Sequence, residues 1–376
     1  MARIIYSLSG QGRGHSSRVT AVTEELRQRG HEVIFCCGAT AQEVMQSRGE
    51  KVIPVPALQH FIEHDRVRVV ASLIYNFDRI TNPYRTIRFL TLEFARFEPD
   101  LLISDFEYFS PRVAHRMNLP VLSFNHQQVV TETRYRIGLR HKLEAAMGSM
   151  VIRLISPPKP YHILLSSFAA HPLRNPHRTT IVPPIIRPIV QKIRPDIGDY
   201  ILVYLNHQGS AALHLIHVLT KIRAKFILYN FNRPSFADRF PHLVFKPLSM
   251  DGFLEDLSTA NAVICSAGFT LMSEALYLRK PLFVIPNGGV FEQTLNALFL
   301  RKYGLGEAVI DRPVRINDIE GFLDRRDKYR KKDLFHSRCG NVDAINCIER
   351  TLDQIKGKYP LRIKLRRKRK KEGEQR

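Results

Sequence analysis

Short apolar blocks rich in β-branched residues punctuate the first half of the chain, at residues 3–9, 31–37, 101–104, 121–124 and 161–166. Blocks of that length without polar alternation predict strands covered on both faces, as in a parallel sheet. The first is broken by Gly10-Gln11-Gly12-Arg13-Gly14, after which Val19, Val22 and Leu26 share one helical face. Ser16 or Ser17 is the expected N-cap of that helix, and Gly30 its C′ residue. Strand, glycine turn, helix and strand make one βαβ unit with parallel strands. Block 161–166 is expected to be the last strand of this domain.

Residues 181–188 then read Ile-Val-Pro-Pro-Ile-Ile-Arg-Pro. That proline density predicts a stiff, extended crossing rather than a helix. Beyond it the pattern restarts. Residues 200–205 form a strand block, Asn206-His207-Gln208-Gly209-Ser210 turns into a Leu/Ile/Val-rich helix, and Lys225–Tyr229 is the next strand. Residues 262–266, a small-residue turn, a helix to Leu278 and residues 281–286 make a further unit. The expected organisation is α/β: a first domain over residues 1–192, a second over 193–340, a closing helix over 341–356, and a basic, disordered tail over 357–376.

The length of 376 residues and the apolar share of 44% suit two cores. No apolar run approaches the roughly 18 residues of a transmembrane helix, and the N-terminus reads as a strand, not a signal peptide. Five cysteines with no paired framework or zinc spacing fit a reducing compartment. The net charge of +22 is unevenly spread. Residues 1–192 carry 25 Lys/Arg against 15 Asp/Glu, residues 193–355 carry 21 against 18, and residues 356–376 carry 11 against 2. The first half and the tail are therefore expected to meet something anionic, with nucleic acid, phospholipid and a phosphorylated acceptor as candidates.

Candidate chemistry gathers at the strand-to-helix turns. Gly10-x-Gly12-x-Gly14-His15-x-x-Arg18 lets backbone N–H groups approach a ligand, with a helix N-terminus behind them that favours anions. The spacing is not that of a dinucleotide fingerprint, and no acidic residue ends the second strand near Cys37. A tight turn without a ligand is the plainer reading. An imidazole at His15 could take a proton from an acceptor hydroxyl, or merely solvate the helix start. Asp105, at the end of a strand, could orient that histidine, act as a base, or be a loop aspartate. His126-Gln127-Gln128 could hydrogen-bond an acceptor. In the second half, Gly268 and the helix behind it suit a diphosphate, and Glu274 one turn in could accept hydrogen bonds from vicinal hydroxyls. Glu292-Gln293, opening a helix after Gly288-Gly289, could bind sugar hydroxyls. For Glu274 the plainer reading is compensation of the helix dipole.

The array Ala267-Gly268-Phe269-Thr270-x-x-x-Glu274-Ala275, Lys280-Pro281, Val284-Ile285-Pro286 and Glu292-Gln293-x-x-Asn296-Ala297 resembles the donor half of GT-B glycosyltransferases. Within them it is similar to the branch holding the bacterial GlcNAc transferase of the lipid-linked peptidoglycan precursor. Gly12-x-Gly14-His15, Gln208-Gly209-Ser210 and the crossing at 181–187 match that branch in position. The resemblance implies two Rossmann-like domains facing across a cleft. It also implies an inverting, metal-independent hexosyl transfer, with a UDP-sugar as substrate and no cofactor. By resemblance Glu274 would hold the donor ribose, while Gly268, Thr270, Gly209 and Ser210 would line the diphosphate site. Glu292 and Gln293 would meet the sugar, and Phe253-Leu254 the base. His15 would be the general base. From the residues themselves, Asp105 is expected in support, and Gly12, Gly14, Arg18 and His126 on the acceptor side. Gln11, Arg13, Arg18 and Asn206-His207 depart from that branch's small residues.

Two other functions fit parts of the sequence. A nucleotide-sugar epimerase can share the fold, but leaves the basic first half and tail unexplained. A nucleic-acid binder would use the charge, yet neither an aromatic single-strand platform nor a recognition helix is evident. The basic tail, with the first domain, is instead expected to place the protein peripherally on an anionic, cytoplasmic membrane face.

Overall fold

The computed structural model describes residues 1–10, 13–59, 61–63, 66–206, 209–330 and 338–359. Its first seven major strands are β1 (Arg3–Leu8), β2 (Glu32–Cys37), β3 (Val52–Pro54), β4 (Leu101–Asp105), β5 (Val121–Asn125), β6 (His162–Ser166) and β7 (Thr179–Val182). They form one parallel sheet in the order β3-β2-β1-β4-β5-β6-β7. Every residue of β4 and β5 is buried, because helices cover both faces. The strand after β6 was not expected. Ile181 and Val182, read from the prolines as part of the crossing, still pair with Leu165 and Ser166, and the crossing begins only at Pro183. An edge strand tolerates prolines just beyond its last pairing.

The second domain repeats the plan with β8 (Tyr200–Tyr204), β9 (Lys225–Tyr229), β10 (Leu243–Lys246), β11 (Ala262–Cys265), β12 (Leu282–Val284) and β13 (Gly306–Ala308), in the order β10-β9-β8-β11-β12-β13. In each sheet the chain reverses its direction of winding beside the first strand, β1/β4 and β8/β11. Such switch points open a crevice at the carboxyl ends of the strands.

Helix α1 (Arg13–Gln28) follows β1. It starts ahead of the expected Ser16/Ser17 cap, so Gly14 and His15 lie in its first turn rather than in the loop. No proline interrupts that stretch, and N–H groups of a first turn need no intrahelical partner. At its other end Gly30 takes φ +84°, and the His31 N–H bonds to the Leu26 carbonyl at 3.1 Å, the left-handed stop expected of that glycine.

The closing helix, α2 (Asn341–Ile355), returns to the first domain. Its Ala344, Ile345, Ile348 and Leu352 pack with Ile4, Tyr6, Val19 and Val22 in one buried cluster. The outgoing and returning crossings lie side by side. Asn341 accepts from the Ile186 N–H and donates to the Ile186 carbonyl, both at 2.9 Å. A Cβ on Gly340 would stand 2.0 Å from the Pro183 carbonyl oxygen, so only glycine permits this approach.

Candidate active site

The helices behind the two glycine turns meet across the cleft. Helix α1 packs against the helix Phe269–Tyr277, whose N-cap is Gly268. Phe269 stacks on His126 of the first domain, with centroids 3.7 Å apart and rings nearly parallel at 6°. The Arg18 guanidinium lies over the same Phe269 ring, 5.4 Å from its centroid, and 3.6 Å from the Asp105 carboxylate. His126 Nδ1 faces the Ser166 carbonyl and Nε2 faces Asn296 Oδ1, each at 2.8 Å. Burial pushes the His126 pKa down to about 4 despite those hydrogen bonds, and the nearby Arg18 charge lowers it further.

Arg18 and His126, expected on the acceptor side, are buried, at 7% and 1% exposure, and both contact Phe269 of the second domain. Asp105 is likewise buried at the end of β4, 3.6 Å from the Arg18 guanidinium. Gly12 and the side chain of His15 lie outside the described residues.

On the donor side, Glu274 is bound by a residue that motif reading had not assigned to the site. Arg187, at the end of the crossing, donates from Nε to Glu274 Oε1 at 2.6 Å and from an Nη to Oε2 at 2.7 Å. Both side chains are covered, Glu274 almost completely. A planar guanidinium meeting a carboxylate edge-on fixes its orientation and leaves one lone-pair direction free on each oxygen. Gly268 and Thr270, in the first turn ahead of it, are half-buried. Leu254 proves to be a core residue, because its helix turns that face inward. Phe253 is wedged edge-on against Tyr204 and Tyr229. The Gln293 side chain accepts from the Asn287 N–H at 2.9 Å and so braces the turn before it, while Glu292 accepts from Asn296 at 2.6 Å. Gly209 caps the helix Ser210–Leu219.

Gly288-Gly289 has a mechanical role. The Val67 N–H, in the small hairpin Ile62–Glu63/Arg66–Val67, donates to the Gly288 carbonyl at 3.0 Å. A Cβ on Gly289 would lie 2.3 Å from the Val67 carbonyl oxygen. This bridge separates two cavities. The larger, about 1240 Å³, lies between Arg68 and Glu144 of the first domain and Ser210, His214 and Asp311 of the second. The smaller, about 230 Å³, is mostly apolar and runs from Gly10 and Val55 to Phe291 and Glu292. Glu107 lines it too, but its carboxylate accepts from the N–H groups of Phe109 and Ser110 at 2.8 and 2.6 Å, capping the next helix. Burial raises the Glu107 pKa against those bonds. Glu274, Gly268, Thr270 and Phe253 line neither cavity. Among the described residues no group of three or more His, Cys, Asp or Glu side chains could hold a metal ion.

Comparison with known proteins extends this picture. The sequence pattern of glycosyl transferase family 1 matches residues 2–326. An uncharacterized glycosyltransferase of Methanosarcina mazei is 22% identical over 350 residues, covering 81% of this chain and 84% of that protein. One from Methanosarcina acetivorans is 22% identical over 389 residues, covering 95% and 99%. Among solved structures, CalG4, the calicheamicin glycosyltransferase, superimposes with a TM-score of 0.65 at 16% identity, over 95% of this chain and 99% of that one. MurG of Acinetobacter baumannii gives 0.60 at 13%, over 93% and 100%. VinC, solved in complex with dTDP, gives 0.60 at 12%, over 94% and 100%. The two facing parallel sheets are therefore the GT-B fold.

Proposed function

The chain belongs to glycosyl transferase family 1, and from that premise we propose that this glycosyltransferase takes its sugar from a nucleotide-sugar donor, a UDP-sugar, bound along the helix Phe269–Tyr277. The observation that carries the reading is the packing of α1, behind the first glycine turn, on the Gly268-capped helix Phe269–Tyr277, each following a strand of its own parallel sheet. Helix N-termini and their free N–H groups favour a diphosphate and stabilise it as it leaves. Gly268 and Thr270 line that site, with Gly209 and Ser210 opposite. Glu274 receives the ribose hydroxyls on the lone pairs that Arg187 leaves free. Glu274 is almost completely buried, so the ribose reaches it only where its cover gives way.

His15 takes the proton of the acceptor hydroxyl as that oxygen attacks the anomeric carbon. The bond to the diphosphate breaks on the opposite side, so the configuration inverts, with no metal involved. Asp105 acts on the first-domain side through its position beside α1. The acceptor enters the apolar cavity beside Gly10, and it is lipid-linked or phosphate-bearing. The protein works peripherally at an anionic, cytoplasmic membrane face, to which the tail over 360–376, outside the described residues, contributes charge. No helix of the described residues is long and apolar enough to cross a membrane.

The test is a panel of nucleotide sugars incubated with the protein and a prenyl-phosphate or glycolipid acceptor, with products read by mass and anomeric NMR. Inverted product formed in excess EDTA is the expected result. Retained configuration, loss of transfer with EDTA, or an epimerised donor without transfer would each refute a named part of the reading.

A further inference from the structure

Among the motif residues, Arg18 has no task in the transfer chemistry above. It stands about one turn beyond His15 along α1. Its side chain and that of Asp105 are both buried, 3.6 Å apart. Charged groups are buried that far when an opposite charge compensates them. Tyr6, Asn125 and Ser166 close the pocket around the pair, which leaves about 10 Å³, room for a single water. Little solvent therefore screens the guanidinium from the carboxylate.

The backbone fixes Asp105 as well. Its carbonyl accepts from the Ser9 N–H, at the end of β1, at 2.9 Å. The next residue, Phe106, has φ +60°, a left-handed conformation that costs a bulky residue energy. That turn takes the chain off β4 and lets Glu107 cap the following helix while Asp105 stays at the strand end. Backbone strain of this kind clusters at functional positions.

The guanidinium also reaches the second domain. It lies over the Phe269 ring, 5.4 Å from the centroid, within the range of a cation–π contact. Phe269 is the first residue of the helix behind Gly268, the proposed diphosphate site. One buried side chain thus links the acid that ends β4 to the start of the donor helix. Arg18 from α1 and Tyr6 from β1 are the titratable groups facing Asp105 among the described residues, and His126 lies across the Phe269 ring.

We propose that Arg18 is a positioning residue of the transfer, holding the Asp105 carboxylate in a fixed place relative to the first turn of the donor helix. The proposal rests on the reading of Asp105 as support for the base His15. Arg18 acts through its charge on Asp105 and through the planar face that it lays on Phe269. A lysine would keep only the first of these.

The experiment compares the parent, Asp105→Asn, Arg18→Met, Arg18→Lys and the double variant Arg18→Met/Asp105→Asn, all as full chains. Urea melts require no substrate. Arg18→Met leaves a buried carboxylate alone and should unfold at distinctly lower urea, and the double variant should recover most of that midpoint. Turnover is read as UDP released from the UDP-sugar and the prenyl-phosphate or glycolipid acceptor on which the parent is active. Arg18→Met should lower kcat about tenfold to hundredfold, with the donor KM changed by less than about threefold. The acid limb of its pH profile should move to higher pH, because a carboxylate without its cation is more easily protonated. Arg18→Lys should keep the parental limb and regain part of the turnover. The double variant should be no slower than Asp105→Asn alone, since the carboxylate that Arg18 positions is already gone.

Parental turnover with an unmoved acid limb in Arg18→Met would overturn the proposal. So would a double variant no more stable than Arg18→Met, or one that loses turnover beyond Asp105→Asn. If Arg18→Met does not fold, the double variant decides by that last comparison. A slow Asp105→Asn beside a parental Arg18→Met would sink the role of Arg18 and leave the transferase reading standing. Parental turnover in Asp105→Asn would remove the role of Asp105 and the proposal with it.

Discussion

In the second domain the motif side chains are already engaged. Glu274 is forked by Arg187, Gln293 braces the Asn287 N–H, and Asn296 joins Glu292 to His126. The first-domain wall opposite carries a helix, Val69–Tyr75, without one buried residue. Pre-engaged polar groups suit a ligand part that does not vary, such as a ribose diphosphate, because their orientation is settled before it arrives. A thin apolar wall suits a partner read by surface and bulk. The contrast implies that damage on the second-domain side costs folding and donor affinity together, whereas damage to the exposed side chains of the Val69–Tyr75 and Phe77–Thr81 helices costs neither.

The sharpest blow to this contrast falls between the walls. His15→Ala should lower turnover roughly 10²–10⁴-fold with donor affinity nearly unchanged, the span usual for a general base. Steady-state rates with calorimetry of a nucleoside diphosphate check it, and an equal loss of donor affinity would move His15 to a phosphate-binding role. Next in size is Arg187→Ala. It leaves a buried carboxylate alone and should destabilise the fold by about 3–5 kcal/mol in urea melts. Replacing both partners by apolar residues should recover much of that loss, and a double variant no better than the single would show that the pair does not act as a unit.

The domain contact itself should be sensitive to acid. His126 titrates near 4 in the folded chain and near its ordinary 6.5 when unfolded. Between those values the unfolded chain binds the extra proton. Stability is therefore intact above pH 6.5, falls as the pH drops through the window, and levels off below 4, at a cost of about 3 kcal/mol. The His126→Gln variant should lack that part of the slope. Stability that instead rises on acidification from pH 7 to 6 would mean that the contact holds the charged ring. Smallest of all, Phe77→Ser in the short helix Phe77–Thr81 should change stability by no more than about 0.5 kcal/mol, since the ring is largely solvent-exposed. A larger loss would make that helix part of the core.

Much of this architecture could be read from the sequence because strand blocks and glycine turns are local signals. The βαβ units, the restart after the prolines, and the turn at Gly268 all stand where periodicity put them. What was missed depends on tertiary contact. β7 pairs although prolines follow it at once, and α2 crosses back to a core formed by residues 4–22. Arg18 and His126 looked like cleft residues because they follow glycine turns and strand ends. Only the packing of Phe269 between them shows that they face the other domain. Arg187 was visible as the last polar residue of the crossing, but nothing local ties it to Glu274, 87 positions away. Gly288-Gly289 was legible as a turn, and its reason, the approach of Val67, was not.

The central claim is that a nucleotide donor binds at Glu274 beneath the Arg187 fork. Calorimetric titration of UDP, with GDP, ADP and dTDP beside it, into the parent and into Glu274→Gln tests it most directly. The account predicts saturable binding of UDP by the parent, weakened roughly tenfold to a hundredfold in the variant, as expected for loss of a charged hydrogen bond to the ribose. Equal affinity in the two proteins, with the variant fully folded, would contradict it.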